Sequence, residues 1–423
     1  MLLTATTIMI WLIYIISLFL LFFWLLTFLD KGLNDETCEI KEYPLVTVVL
    51  PAKNEEKSLE ETYNSVADLD YPRNKLQIII VNDGSTDRTG KIALKLKKNN
   101  SQIETEIITH KINRGKGESL NDALKIARGS VFVCLDADSM IDSDALQKMI
   151  PIFSRDERIA TVLPLMKVKN PKGLLGKLQW CEYLINLYYK GIMGKIDCVH
   201  VSPGPFSVYR KDILIKVGGF AEKNLTEDLE LTLRLQKKDY KIVQLLNTTV
   251  YTRVPLTWKG FYKQRNRWYK GTMINMFGYK DMIMSKKYGD FGIIQMPKIF
   301  ISGFLAVFVL FLAIYHFFDP LINWVYDMYH VNFDFAFFFK AWWNSLFKNM
   351  SYLDFNYTNI LFGFVSLTIT LIALKLSFKY TREKYTNQGW LSVPAYMLLY
   401  GILASGIWLG VFLELLIGRK QKW

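Results

Sequence analysis

The sequence predicts an α/β domain of nucleotide-binding type inserted between membrane-spanning helices. Strand-like and helix-like patterns alternate between residues 44 and 254. The first 29 residues carry no charge, and comparable apolar runs return only after residue 297. Short polar loops with acidic residues follow two of the predicted strands. These three observations place an α/β unit between an N-terminal and a C-terminal membrane region.

The composition excludes several classes of protein. Of 423 residues, 51% are apolar and 22% are charged, which rules out disordered and low-complexity chains. Lysine and arginine number 52 against 39 acidic residues, a net charge of +13. Beside long apolar runs, this excess favours a membrane surface or an anionic substrate over nucleic acid. The cysteines lack zinc-ligand spacing and favour a reducing, cytoplasmic setting: Cys38, Cys134, Cys181 and Cys198.

The N-terminal apolar run, residues 1–29, is long enough to cross a bilayer as one helix. A cleaved signal peptide is the alternative, but the run lacks a basic start, a short apolar core and a small-residue cleavage site. We therefore expect an uncleaved transmembrane anchor. A C-terminal membrane region is expected over residues 297–423, with three uncharged runs at 299–318, 356–374 and 390–413.

An aromatic stretch at residues 333–347 contains Asp334 and Lys340, and it suits an interface-lying or re-entrant helix better than a full span. By the positive-inside rule, the basic loops after the first helix and after residue 374 are cytoplasmic. Four simple spans would leave the basic tail outside. Either the aromatic stretch crosses or the last segment re-enters, and the sequence leaves both alternatives open.

The central region, residues 44–254, predicts a parallel sheet with helices on both faces. Ligands of such sheets bind at the carboxyl ends of the strands. Asp83 follows the second strand, and Asp136 and Asp138 follow the fourth. Carboxylates at this edge suit Mg²⁺ or Mn²⁺ bound to a phosphate ligand. The alternative is that Asp138 or its neighbour only caps a helix over residues 142–150.

A glycine-rich basic loop at residues 113–117 lacks the spacing of a Walker A motif. Its glycines would let the backbone approach a ligand, and Arg114 and Lys116 carry charges that suit phosphate. The alternative, a solvated basic turn before a helix, is almost as well supported when the loop is taken alone.

A series of eight segments carries a resemblance to a known family. These segments are PAKNEE (51–56), VNDGSTD (81–87), NRGKGESLN (113–121), LDAD (135–138), SPGPFSVYRK (202–211), GGF (218–220), LTEDLELTLRL (225–235) and QRNRW (264–268). Together they resemble the family 2 glycosyltransferases in their processive, membrane-embedded branch, which includes cellulose, hyaluronan and poly-N-acetylglucosamine synthases. The layout is most similar to the poly-N-acetylglucosamine synthase group.

The resemblance implies a glycosyltransferase A-type, Rossmann-like fold that uses a UDP-sugar and Mg²⁺ or Mn²⁺. It places the metal on Asp136 and Asp138. It also assigns nucleotide binding to the ends of the first, second and fourth strands and to the basic loop. Those nucleotide-binding residues are Pro51, Ala52, Asn54, Glu55, Asp83, Lys116 and Asp136.

The resemblance assigns catalysis to the Thr226, Glu227 and Asp228 motif, with Asp228 as the base that takes the proton of the attacking hydroxyl. Ordinary helix N-terminal charge is the alternative for this acidic pair. Gln264, Arg267 and Trp268 share one helix face by their i, i+3 and i+4 spacing. Arginine suits a diphosphate, and the indole offers a platform on which a sugar ring of the acceptor stacks.

The segment around these residues, 255–290, has the pattern of an amphipathic helix at the membrane interface. Residues 253–287 hold nine basic residues and one acidic residue, so their net charge is +8. Anionic headgroups are expected to attract it. Two departures from the family, at Leu256 and at residues 202–205, make the acceptor the least secure part of the resemblance.

The sequence therefore favours a multi-pass cell-membrane hexosyltransferase of the processive type with a cytoplasmic catalytic domain. It would invert at the anomeric carbon, use UDP-N-acetylglucosamine as the best guess, and elongate and export a β-linked polysaccharide. Single transfer to a ceramide- or dolichyl-phosphate-type lipid is one alternative, and a non-catalytic scaffold or transporter is another. Expected partners are membrane lipids, an accessory membrane subunit or a second copy, but no nucleic acid.

Overall fold

The computed structural model describes residues 5–31, 42–337, 339–340, 343 and 357–418. Helix α1 (Ala5–Lys31) occupies the predicted N-terminal anchor. Part of the predicted re-entrant stretch, Cys38 and the basic tail lie outside the described residues.

The α/β domain contains alternating strands and helices. Its strands are β1 (Val46–Ala52), β2 (Leu76–Asp83), β3 (Glu104–His110), β4 (Val131–Cys134), β5 (Met140–Ile141), β6 (Ile159–Val168), β7 (Ser207–Arg210) and β8 (Lys241–Thr252). Its helices are α2 (Leu59–Ala67), α3 (Thr89–Asn99), α4 (Lys116–Ile126), α5 (Ala145–Met149), α6 (Gly173–Gly194), α7 (Lys211–Lys216) and α8 (Glu227–Lys237). The expected helix over residues 142–150 is shorter and continues as a 3₁₀ turn, Ile150–Ser154.

All eight strands form one sheet in the order β3-β2-β1-β4-β7-β6-β8-β5. The predicted parallel pairing is correct for β1 to β4, but β7 pairs antiparallel with both β4 and β6, and β5 pairs antiparallel with β8. Strand β7 runs antiparallel although helix α6 precedes it, so the alternation of strands and helices does not determine its direction. The chain reverses its strand order between β1 and β4, which opens a crevice at their carboxyl ends.

Helices cover both faces of the sheet, so β1 and β2 are buried on both sides. Val48 and Leu50 of β1 pack with residues of α2 and α3, while Val49 packs with residues of α4 and α8. This burial explains why these strands read as continuous apolar runs rather than as alternating patterns.

The segments on both sides of β4 are tied to β1 and α2 by hydrogen bonds. The Gly129 amide donates to Thr47 Oγ1 at 2.9 Å, and the Leu135 amide donates to the Val49 carbonyl at 3.0 Å. Thr62 Oγ1 donates to the Ala137 carbonyl at 2.9 Å. These bonds fix the backbone on which the two predicted metal-binding aspartates stand.

Among the described residues, three helical stretches are long and apolar enough to cross a membrane: Phe291–His330, Ile360–Thr381 and Ser392–Leu416. They contain α10 (Met296–His330), α11 (Tyr357–Thr381), the short α12 (Ser392–Ala395) and α13 (Gly401–Leu416), with a π turn at Tyr396–Tyr400 between the last two. The first stretch is longer than the predicted apolar run because the helix continues through Pro320 to His330.

Helix α9 (Trp258–Gly278) carries the QxxRW residues and packs against α13. The rings of Tyr269 and Trp408 stack at 4.5 Å with an interplanar angle of 3°, and Lys270 pairs with Glu414 at 3.2 Å. Several of the nine cations counted above are thus engaged by the protein itself: Arg253, Arg265, Arg267 and Lys270. The segment offers less free positive charge to lipid headgroups than its sequence suggests.

Gly129→Ala tests how tightly the β4 segment is held. An added Cβ would lie 2.6 Å from the Thr47 amide nitrogen and 2.7 Å from the Leu45 carbonyl oxygen. We expect the free energy of unfolding to fall by about 1–3 kcal/mol, because backbone atoms must move. Thermal unfolding of the purified protein measures this. Gly278→Ala, whose Cβ would meet nothing within 4 Å, is the matched control; an equal loss in both variants would contradict the prediction.

Candidate active site

Asp83, the last residue of β2, organises the basic loop at the edge of the sheet. Its carboxylate accepts hydrogen bonds from His110 Nδ1 at 2.9 Å and from the amides of Arg114 and Gly115 at 2.8 and 2.9 Å. Gly115 adopts a φ of +95°, which favours glycine, and it immediately precedes α4. The Asp83 carboxylate therefore holds the loop and the start of α4 against the carboxyl end of the strands.

The loop after β1 is bonded to the loop after β2. Asn54 has a φ of +57°, and its Oδ1 accepts a hydrogen bond from the Thr86 amide at 2.8 Å. The Glu55 amide donates to Thr89 Oγ1 at 2.8 Å. The side chain of Asn54 thus shapes the edge, although it is not among the residues that line the cavity there.

We call this cavity, of about 240 Å³, the strand-edge cavity. Its lining contains four of the predicted nucleotide-binding residues. The full lining is Pro51, Ala52, Lys53, Asp83, Asn113, Gly115, Lys116 and Ser119.

A group of carboxylates lies beside the strand-edge cavity. Burial, with the nearby charges of Asp136 and Glu55, raises the pKa of Asp138 to about 6. Burial also raises the pKa of Glu55, against an opposing hydrogen bond from Ser58. These carboxylates disfavour one another's charge, so the site favours an added cation. Within the described ranges, no three His, Cys, Asp or Glu residues form a ready-made metal cluster.

Lys116 links the strand ends to α8. Its ammonium contacts the carboxylate of Asp136 and lies 3.7 Å from that of Glu227. A Cβ on Gly204 would overlap the Lys116 ammonium and lie 2.7 Å from an Asp136 oxygen. The glycine after Pro203 therefore permits a backbone approach that any larger residue would block.

Thr226, Glu227 and Asp228 stand at the start of α8, as predicted from sequence. Asn275 Nδ2 donates to Thr226 Oγ1 at 3.0 Å. Glu227 is buried, and burial raises its pKa, with Lys116 opposing the shift. Glu227 points toward Lys116, whereas Asp228 lines a second cavity. The two consecutive carboxylates therefore have different surroundings, Lys116 for Glu227 and the second cavity for Asp228.

The second cavity, of about 270 Å³, is called the α6 cavity because α6 supplies most of one wall. Opposite α6 lie the start of α8, the segment after His200 and part of α9. Its lining is Met166, Glu182, Tyr183, Asn186, Leu187, Tyr189, Lys190, His200, Val201, Pro203, Thr226, Asp228, Leu229, Trp268, Tyr269 and Thr272.

The sequence of the α/β domain matches a known family. Residues 47–218 match the family described as Glycosyl transferase family 2. These residues form a family 2 glycosyltransferase domain. The resemblance to family 2 glycosyltransferases read from the motifs is therefore confirmed for this domain.

Relatives of the glycosyltransferase domain include two named synthases. The poly-beta-1,6-N-acetyl-D-glucosamine synthase of Staphylococcus aureus (strain COL) is 33% identical over 234 residues, 55% of each chain. The synthase of the same name from Staphylococcus epidermidis is 33% identical over 227 residues, 53% of this chain and 54% of the relative. The matched stretch spans about half the length of these curated relatives.

A solved structure shares the fold of the glycosyltransferase domain. It is the mannosyltransferase PcManGT from Pyrobaculum calidifontis in complex with GDP-Man and Mn²⁺, with a TM-score of 0.58 at 18% identity. The similarity covers 87% of this chain and 95% of that one. The predicted fold class, an α/β glycosyltransferase domain beside apolar helices, is confirmed.

The three QxxRW residues have different surroundings on α9. Trp268 lines the α6 cavity of the glycosyltransferase. Arg267 Nη1 donates to the Leu225 carbonyl at 2.8 Å, just before the acidic motif of α8. Gln264 Oε1 accepts from Arg265 Nη1 at 2.7 Å, and Gln264 lines neither cavity. The structure thus brings Trp268 and Arg267 to the two sides of α8's first turn and leaves Gln264 in a supporting position.

Arg265 and Glu182 form a buried ion pair that sequence reasoning missed. The Arg265 side chain is fully buried, and its guanidinium contacts the Glu182 carboxylate of α6. The same guanidinium stands 4.1 Å from the ring centroid of Trp268. This ion pair could not be predicted from sequence, because 83 residues separate its members and Arg265 occupies a variable position of QxxRW. Arg265 therefore fixes the indole that lines the α6 cavity.

Arg265→Met is expected to lower the free energy of unfolding by about 3–5 kcal/mol, because it leaves the Glu182 carboxylate buried without its partner. Thermal unfolding in detergent measures the loss. Adding Glu182→Gln in the same chain removes the orphaned charge and should restore most of the stability. A double variant as unstable as the single one would show that the pair is not the source of the loss.

Proposed function

We propose that this chain is an inverting membrane glycosyltransferase that transfers N-acetylglucosamine from UDP-N-acetylglucosamine to a growing β-linked polysaccharide. The donor would occupy the strand-edge cavity, and the acceptor would occupy the α6 cavity. The two named synthases among the relatives support the choice of sugar and product.

One observation carries this proposal: Glu227 lies 3.7 Å from Lys116, which lines the strand-edge cavity, while the adjacent Asp228 lines the α6 cavity. A transfer reaction needs a donor and an acceptor that meet at one point. The first turn of α8 links the lining of one cavity to that of the other, so we infer that the anomeric carbon and the attacking hydroxyl would meet there.

The residues then have distinct roles in the transfer. Asp228 takes the proton of the acceptor hydroxyl, whose oxygen forms a bond to the anomeric carbon. The bond from that carbon to the diphosphate breaks, and UDP leaves with the bonding pair. Lys116, which lines the strand-edge cavity, and Arg267, which is bonded to the Leu225 carbonyl, would stabilise the departing charge. Trp268 stacks on a sugar ring of the acceptor.

The carboxylates of Asp136 and Asp138 are suitable ligands for a divalent cation. Mg²⁺ is usually held by one or two carboxylates together with substrate phosphates, so Asp136 and Asp138 would suffice as protein ligands. Burial, followed by the negative charges of Asp136 and Glu55, raises the pKa of Asp138, and a cation would compensate those charges. When bound, the ion would neutralise charge on the diphosphate leaving group. Glu55 lies near enough to Asp136 to add to the same field.

We further propose that the glycosyltransferase domain is cytoplasmic and that the chain crosses the membrane several times. The last turn of α11 contains Lys379 and the loop after it contains Arg382 and Lys384, so this basic end would follow the positive-inside rule. Membrane lipids would surround α1, α10, α11 and α13. An accessory membrane subunit or a second copy would complete an export path.

Asp228→Asn is expected to keep UDP affinity and to lower transfer about 10²–10⁴-fold, because the amide cannot accept the proton. UDP binding is followed by calorimetry, and transfer by incorporation of labelled sugar. Asp239→Asn, on an 88% exposed side chain, is the control. Transfer near the wild-type rate in Asp228→Asn would refute the base assignment.

The sugar and product are tested on membranes incubated with a panel of UDP-sugars and Mg²⁺ or Mn²⁺. We expect incorporation from UDP-N-acetylglucosamine, a product that lengthens with time, and loss of incorporation with a chelator. A product of fixed size that extracts into organic solvent would instead identify single transfer to a lipid. Failure with every nucleotide sugar would favour a non-catalytic scaffold.

A further inference from the structure

His110, the last residue of β3, lies between two carboxylates. Its Nδ1 stands 2.9 Å from the Asp83 carboxylate of β2, and its Nε2 stands 3.3 Å from the Asp122 carboxylate of α4. The side chains of His110 and Asp83 are each 6% exposed, and that of Asp122 is 17% exposed. Of these three residues, Asp83 alone lines the strand-edge cavity. His110 and Asp122 therefore form a layer behind the cavity wall.

Both carboxylates act as hydrogen-bond acceptors. Each oxygen of Asp83 accepts a hydrogen bond from a backbone amide of the basic loop, so neither oxygen has to carry a proton. Burial raises the pKa of the Asp122 carboxyl, but three nearby positive groups outweigh burial and lower that pKa: Lys125, Arg114 and His110. Asp122 is therefore an ionised acceptor as well.

The two carboxylates determine the form of the imidazole between them. An ionised carboxylate can only accept hydrogen bonds, and a neutral imidazole has one N–H donor. A neutral ring that donated to Asp83 would turn a lone pair toward Asp122. The contact of Nε2 with Asp122 is poorly aligned for a hydrogen bond, so its attraction depends on charge. The imidazolium, with an N–H on each nitrogen, is the form that both carboxylates favour.

The basic loop at residues 113–117 is bonded to both partners of His110. The Asp83 carboxylate accepts hydrogen bonds from two successive loop amides at 2.8 and 2.9 Å. The Arg114 guanidinium donates to the Asp122 carboxylate at 2.8 Å. The loop also packs closely on the chain after β2, where a Cβ on Gly84 would lie 2.5 Å from the Asn113 amide nitrogen. The position of the loop therefore depends on the two carboxylates that His110 holds together.

Loss of the imidazolium proton would disturb this arrangement. Asp83 and Asp122 would then lack the cation between them, although both side chains are largely buried. The loop leads directly into Lys116, which lines the strand-edge cavity and contacts Asp136. A less firmly held loop would weaken a ligand of the cavity without removing any group that lines it.

We propose that His110 is a positioning residue for the nucleotide, and that its imidazolium form holds Asp83 and the basic loop in the binding arrangement. Nucleotide binding is then linked to protonation of His110. Affinity is greatest where the imidazole is charged and falls as the pH rises and that charge is lost. The proposal rests on the proposed function in that the strand-edge cavity binds the UDP part of the donor.

The charged groups that surround the imidazole come from β2, the basic loop and α4. They are Asp83, Arg114, Glu118, Asp122 and Lys125. A pH effect that arises at His110 must therefore be separated from titration of UDP itself and of the Asp138 carboxyl, whose pKa is about 6. The ratio of the variant Kd to the wild-type Kd at each pH makes this separation, because those groups are common to both proteins.

The test is UDP binding by the full-length protein in detergent with Mg²⁺, from about pH 5.5 to pH 8.5, a range that brackets ordinary imidazole titration. His110→Phe removes both contacts, and we expect it to weaken UDP about tenfold at the acidic end. His110→Asn keeps a neutral donor near Asp83 and should lose less affinity. For both variants the ratio to the wild-type Kd should shrink as the pH rises, because the wild type then loses the same charge.

Asp122→Asn removes one of the carboxylates that favour the imidazolium. We expect the fall in UDP affinity to begin at a lower pH in this variant than in the wild type. Glu106→Gln is the matched control, since Glu106 lies on the same strand in a pair with Lys97 whose side chains are both 47% exposed. Its affinity should follow that of the wild type at every pH. His110→Asn and Asp122→Asn carry the test if His110→Phe does not fold.

Hydrogen exchange of residues 111–117 without nucleotide gives a second readout of the loop. We expect faster exchange in His110→Phe than in the wild type or Glu106→Gln. Unchanged exchange would show that His110 does not hold the loop. A ratio of Kd values that stays constant with pH would overturn the role of the imidazolium. If the wild type bound no UDP, the proposed function would fail, whereas the exchange rates would still decide whether His110 positions the loop.

Discussion

The contact of Lys116 with Asp136 and Glu227 joins parts of the chain that are remote in sequence. Asp136 follows β4, Glu227 begins α8, and Lys116 begins α4. In a largely buried setting, such a cation holds its two carboxylates far more strongly than a surface pair would. The strand edge, the acidic motif and the basic loop are thereby assembled around one charge. The backbone at Gly204 closes over the same group because it carries no side chain.

The parts of this arrangement that depend on local sequence patterns could be predicted from the sequence. Apolar β-branched runs predicted β1, β2 and β4, and the acidic residues at their ends, Asp83 and Asp136, were placed at the correct edge. The start of α8 was also predicted, because Thr226, Glu227 and Asp228 precede a helical pattern. The family resemblance supplied roles that spacing alone would have left as turn or cap residues.

Contacts between distant segments could not be predicted in this way. The antiparallel direction of β7 depends on the path of the loop that precedes it. The Arg265–Glu182 pair depends on how α9 packs near α6. The burial of Lys190 could not be predicted either, since a lysine on an amphipathic helix is normally solvated. Only three-dimensional packing places this side chain in the buried lining of the α6 cavity.

The attachment of α9 to α13 would transmit movements of α13 to α9. Stacking of Tyr269 on Trp408 and the Lys270–Glu414 pair bind the helix that carries Trp268 to a membrane-spanning helix. A change of bilayer thickness alters the tilt of such a helix. Tilting α13 would carry α9 with it and shift the indole relative to Asp228. The lipid environment would thereby be coupled to the geometry of the proposed reacting groups, so that the thickness of the bilayer would affect the rate of the proposed transfer.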